Sequence, residues 1–165
     1  MNSNPQDVGH FLGGIGALIW DPVGCKYLLL RRADARDFKG GSWECVTGRV
    51  DQGESYELAL HREVREEIGA TVQIEFLIAT THFYRGPQSP ENELLGVIYS
   101  CIIHNPEQAH FGAEHSEQRW MTVTEAVAFL PEGHWLRQVI LRAERLRALV
   151  PDELRQLFLR EGFEL

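Results

Sequence analysis

A chain of 165 residues, 44% hydrophobic and 24% charged, has the length and balance of one globular domain over residues 1–165, enough to bury a core without staples. Its net charge of −8 argues against binding a nucleic-acid polymer, which needs a basic surface, but leaves a nucleotide substrate open because divalent ions invert the local field. Cys25, Cys45 and Cys101 stand apart without a C-x-x-C pair, which argues against a disulfide framework or a zinc knuckle and for reduced thiols in a cytoplasmic setting.

The polar stretch Met1–Gly9 lacks the basic start and apolar core of a secretory signal, and no later apolar run approaches the roughly 20 residues of a membrane span. Phe11–Trp20 is largely apolar, Asp21-Pro-Val-Gly24 supplies a turn, and Lys26–Arg32 with its core Tyr27–Leu30 reads as a buried strand, so a hairpin is expected. Gly13, Gly14 and Gly16 mark a bulge or a close backbone approach; a phosphate cradle is the alternative, but no G-K-[ST] follows. Ala33–Gly41 reads as a loop and Ser42–Val46 as a short strand. Ser55 is a candidate N-cap for a helix over Tyr56–Ile68, with Glu57 in the first turn, Leu60, Val64 and Ile68 as the buried stripe, and Gly69 as the stop.

Thr71–Thr80 alternates, with Val72, Ile74, Phe76 and Ile78 on one side of a half-buried strand. After the loop Gly86–Pro90, Leu94–Ile103 is almost continuously apolar and reads as a strand covered on both faces. Thr122 and Glu125 form a capping-box pattern for a short helix ending at Pro131. A longer helix is expected over His134–Leu149, and a last one over Asp152–Arg160 docked through Leu154, Leu157 and Phe158. The fold class is α/β, a mixed sheet covered by helices.

The chemistry concentrates in the predicted helix over Tyr56–Ile68. Glu63, Glu66 and Glu67 fall at i, i+3 and i+4, so their carboxylates leave one helical face and repel each other. A solvated acidic face is the bland reading; a hard divalent cation, Mg2+ or Mn2+, is the compensation that oxygen ligands and substrate phosphates favour. The seven histidines show no H-x-x-x-H spacing that would imply zinc.

From Gly48 through Glu54 and Arg62-Glu-Val-Arg-Glu-Glu-Ile-Gly69 to Ala70 the chain resembles the Nudix hydrolase signature, G-x5-E-x7-R-E-U-x-E-E-x-G-U with U aliphatic, departing only in the small Ala70. The resemblance implies an α/β/α sandwich with a mixed sheet. It also implies Glu63 and Glu67 as primary metal ligands, Glu66 as helper ligand or base, and the Gly48 carbonyl completing the shell. Arg62 would pair with Glu54 and pin the loop to the helix, with Gly69 as structural terminator. A further acid usually comes from outside the signature: Glu114, in Glu114-His115 ahead of Trp120, is the candidate ligand or base, with Glu117 as competitor. Arg31, Arg32 and Arg49 could offer charge to phosphates, and Phe83, Tyr84 or Tyr99 could stack a base; for each, a structural or solvated role competes.

The family resemblance makes a metal-dependent pyrophosphohydrolase the expected activity, acting on a nucleoside triphosphate or related nucleoside diphosphate derivative by attack of water on phosphorus. The wording Trp43–Val50 with Glu114-His115 is similar to the dihydroneopterin triphosphate and nucleoside triphosphate branch; ADP-ribose and dinucleoside polyphosphate hydrolysis stay open. A non-catalytic nucleotide-binding module is the rival from another class, and an isoprenoid diphosphate isomerase would need a catalytic cysteine, for which Cys45 is poorly placed. The partner is a small organic pyrophosphate without a membrane, and a homodimer is a family-level option.

Overall fold

The structure, a computed structural model, describes residues 9–35 and 39–164. The reading of Met1–Val8 and the middle of the 33–41 loop lie outside the described residues. Strands β1 (Leu12–Asp21) and β2 (Lys26–Arg32) form the expected hairpin, closed by Trp20 opposite Tyr27 and Asp21 opposite Lys26. Asp21 supports the turn by accepting from the Val23 amide at 2.9 Å.

Beyond that turn the two strands splay, and the predicted strand at Ser42–Val46 fills the wedge in two pieces. β3 (Trp43–Glu44) pairs with β2, and β4 (Val46–Arg49) pairs with β1 along Gly14–Ala17. This split carries the strand through Gly48, past the expected end. On its other edge β1 runs parallel to β6 (Glu93–Ile102), which pairs antiparallel with β5 (Gln73–Tyr84), so the sheet is mixed, in the order β3-β2-β1-β6-β5. A Cβ on Gly96 would stand 2.8 Å from the Gly14 carbonyl oxygen, which makes close backbone approach the reason for glycine here.

One strand was not expected. β7 (His115–Met121) pairs with the outer side of β2, and its sequence HSEQRWM offers no apolar alternation because most of it is only half covered. β5 also runs past Thr80 to Tyr84, where backbone pairing to β6 continues although the side chains turn polar and exposed.

Two cores sandwich the sheet. Leu28 and Leu30 of β2 pack with Leu60, Val64 and Ile68 of α1 (Tyr56–Ile68) on one face. Tyr27 and Leu29 point the other way, to Ala126 of α2 (Val123–Phe129) and Leu136, Val139 and Ile140 of α3 (Trp135–Leu149). Period-2 alternation in one strand therefore feeds both layers, each fully buried leucine contributing about 1.5–3 kcal/mol. The last helix, α4 (Asp152–Glu161), keeps one of its three expected contacts: Phe158 stacks on Phe163 at 4.3 Å, whereas Leu154 and Leu157 remain 38% and 36% exposed. Among the described residues no helix is long and apolar enough to cross a membrane.

Candidate active site

Helix α1 begins and ends where its local signals place it. The Ser55 hydroxyl accepts from the Leu58 amide at 3.3 Å, and Gly69 takes the left-handed conformation (φ 67°) while its amide donates to the Arg65 carbonyl. Beside the buried stripe of Leu60, Val64 and Ile68 the helix carries Glu63, Glu66 and Glu67, the last of them itself buried.

Arg62 ties this helix to the loop before it. Its Nε and Nη2 donate to the two oxygens of Glu54 at 2.9 and 2.8 Å, a bidentate fork, and Nη2 also donates to the Arg49 carbonyl at 2.9 Å. The expected Glu54–Arg62 pairing is thus present, and the Arg62 hydrogen bonds hold the Glu54 carboxyl below its ordinary range. Arg62 Nη1 further donates to Glu63 Oε1 at 2.8 Å and approaches Glu66 Oε2 at 3.4 Å. Gly48 faces the same carboxylate: a Cβ there would lie 2.0 Å from Glu63 Cδ, so only glycine lets the loop backbone meet Glu63.

Behind Glu63 lies Glu67, only 5% exposed, whose Oε2 has no hydrogen-bond partner. Burial, and then the charges of Glu44, Glu63 and Glu114, push its carboxyl up to about 9, against a small opposing contribution from the Thr47 backbone. Glu63 is pushed up as well, first by burial, with Arg62 opposing. Sequence reasoning missed Glu44 and His115, which close this interior, and gave Arg32 only as a charge for phosphates. His115 Nε2 stands 3.0 Å from Glu44 Oε1 and 3.7 Å from Glu67 Oε2, and Arg32 Nη1 donates to Glu44 Oε1 at 2.9 Å. The Glu114-His115 dipeptide was the one available signal, and it pointed to the glutamate alone.

In front opens a cavity of about 700 Å³, whose walls include Gly48, Glu44, Glu63 and Glu114 on one side and Arg32, Arg49 and Arg85 among the cations. Several expected site residues lie elsewhere. Glu117 pairs with Arg119 at 2.6 Å on the exposed part of β7, and Arg31 is held by Asp34 at 2.9 Å and Ser116 at 3.1 Å. Tyr84 turns its ring toward His82, leaving Phe83 to face the cavity, while Tyr99 is buried against Phe163. Glu66 is 60% exposed at the rim beside Arg62. Cys45 is fully buried in the core and its thiol is pushed up by burial, which removes it as a nucleophile.

Among the described residues no three His, Cys, Asp or Glu side chains already stand grouped as metal ligands, Glu63 Oε1 being engaged by Arg62 instead. The donor set nevertheless fits a hard divalent cation: it offers carboxylate and carbonyl oxygens, and the buried Glu67 Oε2 lacks the partner that buried polar atoms ordinarily have.

The family model of the Nudix domain matches residues 10–143, so this chain belongs to the Nudix family. It is 36% identical over 121 residues to an octanoyltransferase of Myxococcus xanthus, the match covering 72% of this chain but 32% of that protein. The chain thus spans about a third of that relative's length. It is also similar to the nucleoside triphosphatase NudI of Escherichia coli O139:H28, at 28% identity over 110 residues, covering 62% of this chain and 77% of NudI. Among solved structures, the MutT protein from Methanosarcina mazei Go1 superposes with a TM-score of 0.69 at 22% identity, covering 86% of this chain and 99% of that one, a likeness of fold.

Proposed function

We propose that this chain hydrolyses a pyrophosphate bond in a nucleoside triphosphate or related nucleoside diphosphate derivative, using Mg2+ or Mn2+. The observation that carries the reading is Glu67, buried behind the cavity wall with one oxygen lacking a hydrogen-bond partner and the charges of Glu44, Glu63 and Glu114 around it. Arg32 bonds Glu44 and Arg62 bonds Glu63, but the charges of Glu44, Glu63 and Glu114 still crowd Glu67, an arrangement that a divalent ion stabilises. Glu63, Glu67 and Glu114 with the Gly48 carbonyl would hold that ion, and Glu66 would assist from the rim.

A divalent cation held there supplies Lewis acidity toward phosphate oxygens and a bound water acidic enough to attack phosphorus near neutral pH. This chain's residues do the remaining work. The Arg62 fork keeps the Arg49 carbonyl beside the helix, His115 and Arg32 hold Glu44 near Glu67, and the cavity cations Arg32, Arg49 and Arg85 would meet the phosphates. The naming of NudI as a nucleoside triphosphatase, and the segment Trp43–Val50 with Glu114-His115, favour a triphosphate over ADP-ribose or a dinucleoside polyphosphate.

A panel of nucleoside triphosphates, ADP-ribose and dinucleoside polyphosphates, assayed for phosphate or pyrophosphate release with Mg2+, with Mn2+ and with chelator, tests the proposal. Metal-dependent turnover fastest on a triphosphate is the expected result. Ligand-induced stabilisation without product would instead make the chain a binding module.

A further inference from the structure

The start of α1 is capped from the far end of the chain. Ala59 makes the first bond within the helix, donating to the Ser55 carbonyl at 2.9 Å, and the amides ahead of it, which a helix cannot satisfy internally, find other acceptors: Leu58 donates to the Ser55 hydroxyl at 3.3 Å. Tyr56 and Glu57 donate to the two carboxylate oxygens of Glu164, at 2.7 and 3.3 Å. The exchange is reciprocal, since Glu57 Oε1 accepts from the Phe163 amide and, at 3.1 Å, from the Glu164 amide. Two carboxylates at the positive end of the helix dipole suit the electrostatics there.

The tail is itself anchored. The Phe163 ring stacks on Phe158 at 4.3 Å and meets Tyr99 at 5.4 Å beside the α1 core, and Arg155 of α4 lies 3.8 Å from Glu75 and donates to the Arg147 carbonyl. Gly162 takes φ 77°, and a Cβ on it would come within 3.1 Å of the Glu57 carboxylate oxygens, so the chain reverses closely against the helix. The clasping segment, from Arg155 to Glu164, lies beyond residue 143, where the match to the Nudix domain ends.

We propose that Gly162–Glu164 is a clasp that sets the position of the signature helix, with Glu164 as a positioning residue for the carboxylates of Glu63 and Glu67. The clearance at Gly48 gives the mechanism. Glu63 already fills the space a Cβ would occupy, so a small shift or fraying at the helix start moves that carboxylate off the loop backbone. A loosened helix binds a cation only in its competent fraction, which weakens apparent affinity in proportion. The consequence for metal rests on the function proposed above; the clasp itself does not.

The test uses the full chain carrying Glu164→Ala, Glu164→Gln or Phe163→Ala, with Glu161→Ala as an exposed control. Amide hydrogen exchange at Tyr56 and Glu57 and Mn2+ affinity by calorimetry are measured well below the melting temperature. Glu164→Ala should speed exchange at both amides by about fivefold, the factor equivalent to losing a typical helix cap, and weaken Mn2+ binding by a similar factor. Glu164→Gln, which keeps one acceptor oxygen, should fall between, and Glu161→Ala should match the parent. Unchanged exchange in Glu164→Ala overturns the clasp, and a lowered melting temperature with unchanged Mn2+ affinity overturns its positioning role. A parent chain that turns over no nucleotide would count against the proposed function alone, because exchange and Mn2+ binding are read without substrate.

Discussion

Two buried glutamates lie on opposite sides of this sheet and meet opposite treatment. Glu75, 3% exposed, receives Arg147 Nη2 at 2.9 Å and the Ser100 hydroxyl at 2.8 Å, and Arg155 stands 3.8 Å away. Arg147 also lies over the Trp20 ring at 4.4 Å and bonds Tyr27 and Glu144, so one cation joins β1, β2, β5, β6 and α3. Glu67, 5% exposed, has an orphan oxygen and three acidic neighbours. A closed network of this kind serves the fold; an open one carries a cost that a proton or a cation from outside relieves.

The largest expected effect comes from neutralising the open site. Glu67→Gln should lower metal-dependent turnover by at least about 100-fold, the scale on which groups of a preorganised electrostatic site act. In the metal-free chain it should raise the melting temperature, since it replaces a buried, repelled carboxylate by a neutral isostere. Loss of both activity and metal-free stability would place Glu67 in a structural role like that of Glu75.

The pH dependence of the metal-free chain sharpens the same contrast. Glu67 is pushed up to about 9 in the fold from an ordinary carboxylate value near 4.5, so between these values the folded state holds a proton that the unfolded state has released. Stability attached to this group is therefore full at low pH and falls as pH rises, by a few kcal/mol in order of magnitude by the time pH passes 9. Thermal melts in chelator from pH 5.5 to 9 should show this decline, flattened in Glu67→Gln, and Mg2+ or Mn2+ should restore stability most at the alkaline end. A decline unchanged by the substitution would assign it to other groups.

Closing residues can be broken too. Glu75→Ala leaves Arg147 largely covered, with a side chain only 16% exposed and without its main partner, and should cost about 3 kcal/mol in urea unfolding. Turnover at a temperature where the variant is folded should stay near that of the parent, because neither Glu75 nor Arg147, Ser100, Tyr27 or Glu144 lines the cavity.

What the sequence revealed, and what it hid, follows the range of each interaction. Helix α1 was legible to the residue because Ser55, the i+4 stripe and Gly69 are local signals. The Glu54–Arg62 fork spans eight residues and belongs to the same motif. Glu44 and His115, 71 residues apart, meet because β2 binds a different strand on each edge, with Leu30 opposite Glu44 and Arg32 opposite His115. Nothing in the pattern of HSEQRWM marked β7 as a strand, so the meeting could not be foreseen. Arg31 was misplaced for a related reason: period-2 geometry sends neighbours to opposite faces, and it is Arg32 that lines the cavity.

Register also sets the smallest predicted effect. The carbonyl of Glu114 accepts from the Ala33 amide at 2.9 Å, which holds this residue at the end of β2 beside Arg32 and Glu44, and its side chain reaches the cavity. Glu117, three residues on, pairs opposite Arg31 and forms a 2.6 Å bridge with Arg119, both side chains at least 40% exposed. Glu114→Gln should therefore reduce turnover by about tenfold or more, as loss of a metal-site carboxylate or its supporting partner does. Glu117→Gln should change turnover by less than about twofold and stability by no more than about 0.5 kcal/mol, the range of an exposed substitution. Steady-state assays of the two variants across a Mg2+ titration decide it: a Mg2+ requirement shifted by Glu117→Gln and not by Glu114→Gln would transfer the outer acid of the site from one residue to the other.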